Sequence, residues 1–253
     1  MARLIPEKRS TTSATLSYVQ IQKVQCMIKF LDIKDNRNVF VVGDIHGCYT
    51  DLINKLKEIG FNFNSDLLVA VGDLIDRGDE NIKCFNLLKE HWFTTIKGNH
   101  EDFCVQGNSN YNVEFYHKMK NNGGEWFYQL DEDERNIIAN RFKQLPVLIE
   151  LKYKGKKYGF VHADVPVEDW ELLKEMVENN DNQIDSERSV IDACLWSRRI
   201  VEMDHVEIAQ IDQVFLGHTV LPEIKHIGNC TFLDTGGVFK EHDKKYRLSI
   251  IKL

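Results

Sequence analysis

Short apolar runs that stop abruptly at a glycine and a polar residue constrain this 253-residue chain more than any other feature. Asn38-Val-Phe-Val-Val42 is mostly apolar and β-branched, and it ends at Gly43-Asp44. Leu67-Leu-Val-Ala-Val71 ends at Gly72-Asp73, and Trp92-Phe-Thr-Thr-Ile96 ends at Lys97-Gly98-Asn99-His100. Runs of this length without polar alternation predict strands buried on both faces. After the first run, Leu52, Ile53, Leu56 and Ile59 recur at helical spacing, with Gly60 as the stop. Ile82, Phe85 and Leu88 repeat that face after the second. Strand alternating with helix predicts an α/β fold with a largely parallel sheet.

Further strands are expected at Tyr158 to Val161, Gln213 to Leu216, Cys230 to Leu233 and Tyr246 to Ile251. Gly124 to Arg141 reads as a polar-rich helical cap, and Glu168 to Ser189 as a charged, partly helical surface excursion. Residues 1–15 are polar and aperiodic, which predicts a loose N-terminal arm. Ser17 to Lys34 is expected to hold a short helix or strand docked on the core. With no repeats or low-complexity linkers, residues 16–253 are expected to form one domain.

The strand ends carry the chemistry. Five of these strands finish, within a few residues, in a group that can bind metal: Asp44/His46, Asp73, Asn99/His100, His162 and His218. The carboxyl ends of strands in an open α/β sheet converge on one crevice. Buried carboxylates and imidazoles gathered there need a partner, and a dinuclear metal centre satisfies them all. The oxygen and nitrogen donors, with no thiolate, suit manganese, iron or zinc. His91, His117, His205, His226 and His242 follow no such strand and are read as hydrogen-bonded interior or surface residues.

A formal net charge of −7 argues against a nucleic-acid binder that works by neutralising phosphates. The six cysteines form no C-x-x-C pair, so neither a thiolate zinc site nor a disulfide framework is expected. No apolar run is long enough to span a membrane, and the N-terminus has no signal-peptide core. These features predict a reduced, cytoplasmic protein, taken as a monomer.

Gly43-Asp-Ile-His-Gly47, Gly72-Asp-Leu-Ile-Asp-Arg-Gly78 and Gly98-Asn-His-Glu101 resemble the three signature blocks of the phosphoprotein phosphatase family of metallophosphoesterases. The resemblance is closer to its short bacterial and bacteriophage branch. It continues through His162-Ala-Asp164, Trp196-Ser-Arg198, Gly217-His-Thr219 and Asp234-Thr-Gly236. It implies a central β-sandwich flanked by helices, with two divalent metals at the carboxyl ends of the strands, manganese before iron or zinc. Asp44, His46 and Asp73 would hold the first ion. Asp73, Asn99, His162 and His218 would hold the second, with Asp73 bridging. The general acid falls on His100, its orienting carboxylate on Asp76, and the phosphate-clamping arginines on Arg77 and Arg198. Asp164 is read as shaping its loop and is not assigned to the metal.

The activity implied is hydrolysis of phosphoserine and phosphothreonine monoesters in proteins, by in-line attack of a bridging hydroxide. A competing reaction on the same scaffold is hydrolysis of diadenosine tetraphosphate. Relatives of that kind commonly carry Asp after Gly-Asn-His, whereas Glu101 stands here and Asp76-Arg77-Gly78 is intact, which favours the protein phosphatase. A non-catalytic phosphopeptide-binding module is the remaining alternative.

Overall fold

Alternate residues of the central strands face opposite ways, and both directions are apolar, so two sheets stack with helices outside each. The computed structural model describes residues 27–34, 36–179 and 189–253. Strand β1 (Ile28–Asp32) precedes β2 (Val39–Val42), helix α1 (Tyr49–Glu58), β3 (Leu67–Ala70), α2 (Asn81–Asn86) and β4 (Phe93–Thr95). Four helices follow: α3 (Asn99–Gly107), α4 (Tyr111–His117), α5 (Glu125–Tyr128) and α6 (Glu132–Lys143). Then come β5 (Leu148–Tyr153), β6 (Lys156–Phe160), α7 (Trp170–Glu178) and α8 (Val190–Trp196). The last strands are β7 (Gln213–Leu216), β8 (Lys225–Ile227), β9 (Cys230–Phe232) and β10 (Ile250–Lys252).

One sheet has the order β10-β2-β3-β4 and the other β1-β5-β6-β7-β9-β8. Within the first, β2, β3 and β4 run parallel, with β10 antiparallel at the edge. Within the second, β6, β7 and β9 run parallel. Between the sheets lie Val39, Val41, Leu67 and Val69, packed with Ile149, Leu151, Phe160 and Phe215. Their neighbours Phe40, Val42, Leu68 and Ala70 turn outward onto Leu52 and Leu56 of α1, Phe127 of α5 and Phe142 of α6. On the far side, Leu148, Val214 and Leu216 meet Trp170 and Leu173 of α7 and Cys194 of α8. Each such side chain contributes about 1.5–3 kcal/mol by leaving water.

The helix-flanked sandwich is the architecture the resemblance implied, but several details differ from the pattern reading. The parallel expectation misses the antiparallel hairpins β5–β6 and β8–β9. The last strand is shorter than Tyr246 to Ile251: its ladder with β2 begins at Ile250, after an isolated bridge between Arg247 and Gly236. The cap is two helices, because Asp131 accepts from the Glu134 N–H at 2.8 Å and starts α6 afresh. The excursion from 168 is no mere surface feature: Trp170, Leu173 and Val177 are buried in the core. Residues 180–188 of it, and the expected arm at 1–15, lie outside the described residues. Of the stretch from Ser17 to Lys34, the described part is strand β1, paired in parallel with β5.

Candidate metal centre

The two parallel triplets of strands release their carboxyl ends toward one rim. Asp44 and His46 follow β2, Asp73 follows β3, and Asn99 and His100 open α3 after β4. His162 follows β6, His218 follows β7 and Asp234 follows β9. All eight are buried.

Asp73 stands in the middle. Its Oδ2 lies 3.6 Å from His46 Nε2 and 3.9 Å from His100 Nε2, and its Oδ1 lies 3.4 Å from His162 Nε2. Asn99 Oδ1 is 2.9 Å from His162 Nε2 and 2.8 Å from His218 Nδ1. One donor group therefore gathers His46, Asp73 and His100, and a second gathers Asp73, His162 and His218. Asp44 reaches the second side through Oδ2, which accepts from the His218 main-chain N–H at 3.0 Å.

The ring tautomers leave Nε2 turned toward the centre. His46 Nδ1 is 2.8 Å from the Ile75 carbonyl, and His162 Nδ1 is 2.7 Å from the Val71 carbonyl, so each Nδ1 donates. In its neutral ring the His162 Nε2 lone pair then faces the oxygens of Asp73 and Asn99, whereas that of His46 meets the Arg77 guanidinium. Lone pairs facing one another in a dry interior repel unless positive charge lies between them. Asp44 Oδ1 and Asp234 Oδ2 are likewise buried with no hydrogen-bond partner among the described residues. The donor set fits divalent ions held by oxygen and nitrogen.

The electrostatics say the same. Burial, reinforced by Asp234 and Asp73, raises the Asp44 carboxyl well above its usual range. Burial pushes His218 down to about 3, with His162 adding to the effect. Burial also lowers His46, aided by Arg77 and His100. Burial opposes ionisation of Asp73, but His162, His100 and His46 outweigh it and hold that carboxyl low. His162 is raised, because its attraction to Asp73 exceeds the cost of its burial.

The backbone is bent to deliver these groups. His46, Asp73, Asp76, Arg77 and His218 have φ of 45°, 49°, 72°, 67° and 65°. Left-handed backbone at a non-glycine residue costs about 1–3 kcal/mol and persists where surrounding contacts over-determine it. Gly217 supplies the closest approach: a Cβ there would collide with Asp44 Oδ1 and with Val71.

At the edge of this centre, His100 Nδ1 lies 2.7 Å from Asp76 Oδ2, which leaves His100 Nε2 directed toward Asp73. The half-buried Arg77 donates through Nε to the Asn121 carbonyl at 3.2 Å, and its guanidinium also reaches His46 Nε2. That nitrogen is the one His46 has free to ligate, so this contact and metal ligation exclude each other. Arg198 is exposed at the rim after α8, near enough that its charge helps keep His218 low. Asp164 accepts from Val165 N at 2.8 Å, the Ser197 hydroxyl at 2.6 Å and Arg199 N at 2.7 Å. It thereby ties the loop after β6 to the segment that carries Arg198.

Every residue expected at the site is thus at this rim, and four more belong to it. Glu101 accepts from the N–H groups of Asp73, Leu74 and Gly98 at 2.9, 2.8 and 2.8 Å, clamping two of the loops together. Asp234 faces the centre from β9. His117 and Trp126, from α4 and α5, both bond Asp76. His117 had been read as an ordinary interior histidine, and no local pattern distinguishes it. Glu101 and Asp234 stand in plain view inside Gly98-Asn-His-Glu101 and Asp234-Thr-Gly236, where Glu101 bears on the choice of reaction and neither is expected at the site.

Residues 37–222 match the Calcineurin-like phosphoesterase family. The chain is 34% identical to serine/threonine-protein phosphatase 2 of Salmonella typhimurium, over 83% of this chain and 93% of that protein. It is 32% identical to serine/threonine-protein phosphatase 1 of the same organism, over 83% and 91%. A symmetrical bis(5'-nucleosyl)-tetraphosphatase of Actinobacillus pleuropneumoniae is 31% identical, but over only 53% of this chain and 47% of that one. Among solved structures, a serine/threonine phosphatase from Saccharomyces cerevisiae shares the fold, with a TM-score of 0.60 at 16% identity over 95% of this chain and 88% of that one. Signature blocks at the strand ends, a match across most of its length and a shared sandwich agree: the chain belongs to the Calcineurin-like phosphoesterase family.

Proposed function

We propose that the chain is a metal-dependent phosphoprotein phosphatase that hydrolyses phosphoserine and phosphothreonine monoesters, with residues 16–253 as one catalytic domain. The observation that carries this reading is the buried ring of donors around Asp73, with lone pairs facing one another and the Asp44 Oδ1 atom unpartnered. Asp44, His46 and Asp73 would hold one ion, and Asp73, Asn99, His162 and His218 the other. When bound, two such ions supply Lewis acidity toward phosphoryl oxygens and make a water acidic enough to attack at neutral pH. Manganese is proposed first, with iron and zinc as alternatives.

The remaining steps belong to the chain itself. Arg77 and Arg198 present planar donor forks that match phosphoryl oxygens and orient the ester for in-line attack. The serine or threonine alkoxide that departs is strongly basic and needs a proton. His100, whose Nδ1 is tied to Asp76, has Nε2 free on the centre's side to donate it. Asp76 fixes the tautomer and stabilises the charged ring. The free thiols of Cys48, Cys84, Cys104, Cys194 and Cys230, and the absence of any described helix able to cross a membrane, support a cytoplasmic setting.

The test compares metal-stripped protein with and without manganese on a phosphoserine peptide, p-nitrophenyl phosphate and diadenosine tetraphosphate. Manganese-dependent turnover that favours the peptide supports the proposal. A large preference for the dinucleotide moves the chain to nucleotide phosphoesterase chemistry. Failure on all three with manganese, iron and zinc leaves a binding module.

A further inference from the structure

Asp76 is shared more widely than its pairing with His100 requires. Its Oδ2 receives His100 Nδ1 at 2.7 Å and His117 Nε2 at 2.6 Å, while Trp126 Nε1 donates to Oδ1 at 2.6 Å. The Asp76 main-chain N–H donates to Asn81 Oδ1 at 2.7 Å, and its φ of 72° fixes the direction in which the side chain leaves the loop. Asp76 and His117 are wholly buried and His100 nearly so.

His117 is itself held from every side. Its Nδ1 lies 3.0 Å from the Tyr128 hydroxyl, which has a proton to give, so Nδ1 accepts and Nε2 carries the proton that goes to Asp76. Phe103 of α3 stacks on the ring at 5.0 Å and 20°. Gly124 closes the other side, where a Cβ would overlap the imidazole. All three nitrogens around the Asp76 carboxylate therefore donate protons to it. The trio of Asp76, His100 and His117 is a hydrogen-bonded cluster and not a ligand set, although its atoms are close enough for one.

A carboxylate with one donor can rotate about its terminal torsion, and its partner imidazole follows. Two further donors, His117 of α4 and Trp126 of α5, on different oxygens remove that rotation. We propose that His117 is a positioning residue that, with Trp126, locks the Asp76 carboxylate so that His100 presents Nε2 to the departing alkoxide of a phosphoserine or phosphothreonine substrate. This inference rests on the reading of His100 as the proton donor. It gives α4 and α5 a chemical purpose: both act on proton delivery through Asp76. Burial by itself would raise the Asp76 carboxyl, but the bonds from His100 and His117 outweigh it and hold the group well below its usual range, ionised as the lock requires.

The experiment uses the manganese-loaded full chain with His117→Phe, which keeps a ring of similar volume, and His117→Gln, whose amide nitrogen can still donate to Asp76. Turnover is measured on a phosphoserine peptide, whose leaving group needs a proton, and on p-nitrophenyl phosphate, whose leaving group does not. Expected for His117→Phe is a fall in kcat of about 10- to 100-fold on the peptide, with KM within about twofold and p-nitrophenyl phosphate turnover within about threefold. His117→Gln should recover most of the loss. Equal losses on both substrates would reduce His117 to a structural role and overturn the proposal, as would unchanged peptide turnover in His117→Phe. His100→Asn runs alongside. A substrate-selective loss there with none in His117→Phe overturns only the positioning role, whereas no selectivity in His100→Asn overturns the assignment of the acid itself.

Discussion

The main-chain N–H of His218 donates to Oδ2 of Asp44 at 3.0 Å, joining the loop after β7 in one sheet to the loop after β2 in the other. Oδ1 of the same carboxylate has no hydrogen-bond partner among the described residues. The two sheets are thus fastened at the rim by a group that is only half satisfied without a cation. Asp44→Asn removes the charge and keeps the shape. We expect it to weaken manganese binding by more than about 100-fold in calorimetry and to abolish the thermal stabilisation that manganese gives the parent protein.

Asp234 supplies a prediction in pH. Burial raises its carboxyl from the usual 3.8 to about 6, so between those values the folded chain retains a proton that the unfolded chain releases. Stability therefore falls as pH rises through that window. In metal-free protein, Asp234→Asn should be more stable than the parent by up to about 3 kcal/mol above pH 6, with the gain vanishing below about pH 4. Urea denaturation in chelator at pH 4 and pH 7.5 reads the difference directly. A gain independent of pH would mean the effect is not ionisation.

Glu101 holds three main-chain N–H groups of the loops that carry Asp73 and Asn99. Truncation to alanine strands them in a dry interior, at about 1–3 kcal/mol for each donor that finds no substitute. Glu101→Ala should lower Tm by more than Asp44→Asn does, and it should lose metal affinity as well, because the loops that present Asp73 and Asn99 come apart.

Gly217→Ala probes the closest approach in the site. The added methyl runs into Asp44 Oδ1 and lies 2.7 Å from Val71 Cγ2. A loss of about 1–3 kcal/mol in stability is expected, together with weakened manganese binding. Gly155, where a Cβ meets nothing within 4 Å, serves as the control: both glycines become alanine, and only Gly155 has the positive φ, of 75°. Strain alone would harm Gly155→Ala more. Collision with Asp44 harms Gly217→Ala more.

The amino-acid sequence by itself determined which residues gather at the rim. Each expected ligand stands within a few positions of the end of an apolar run, and strands running parallel in a sheet must release those ends on one side. Spacing and glycine placement are local, so Asp44, Asp73, Asn99, His162 and His218 could be read along the chain. The tertiary structure alone decided how the runs divide between two sheets, because both faces of β2 and β3 are apolar and periodicity cannot say which element covers which face. It alone decided the hairpins β5–β6 and β8–β9. It also brought His117 and Trp126, 41 and 50 positions beyond Asp76, onto that carboxylate. An interior histidine carries no local mark of the partner it will meet. Only the docking of α4 and α5 against α3, driven by the burial of Phe103 and Phe127, places its proton where it can act.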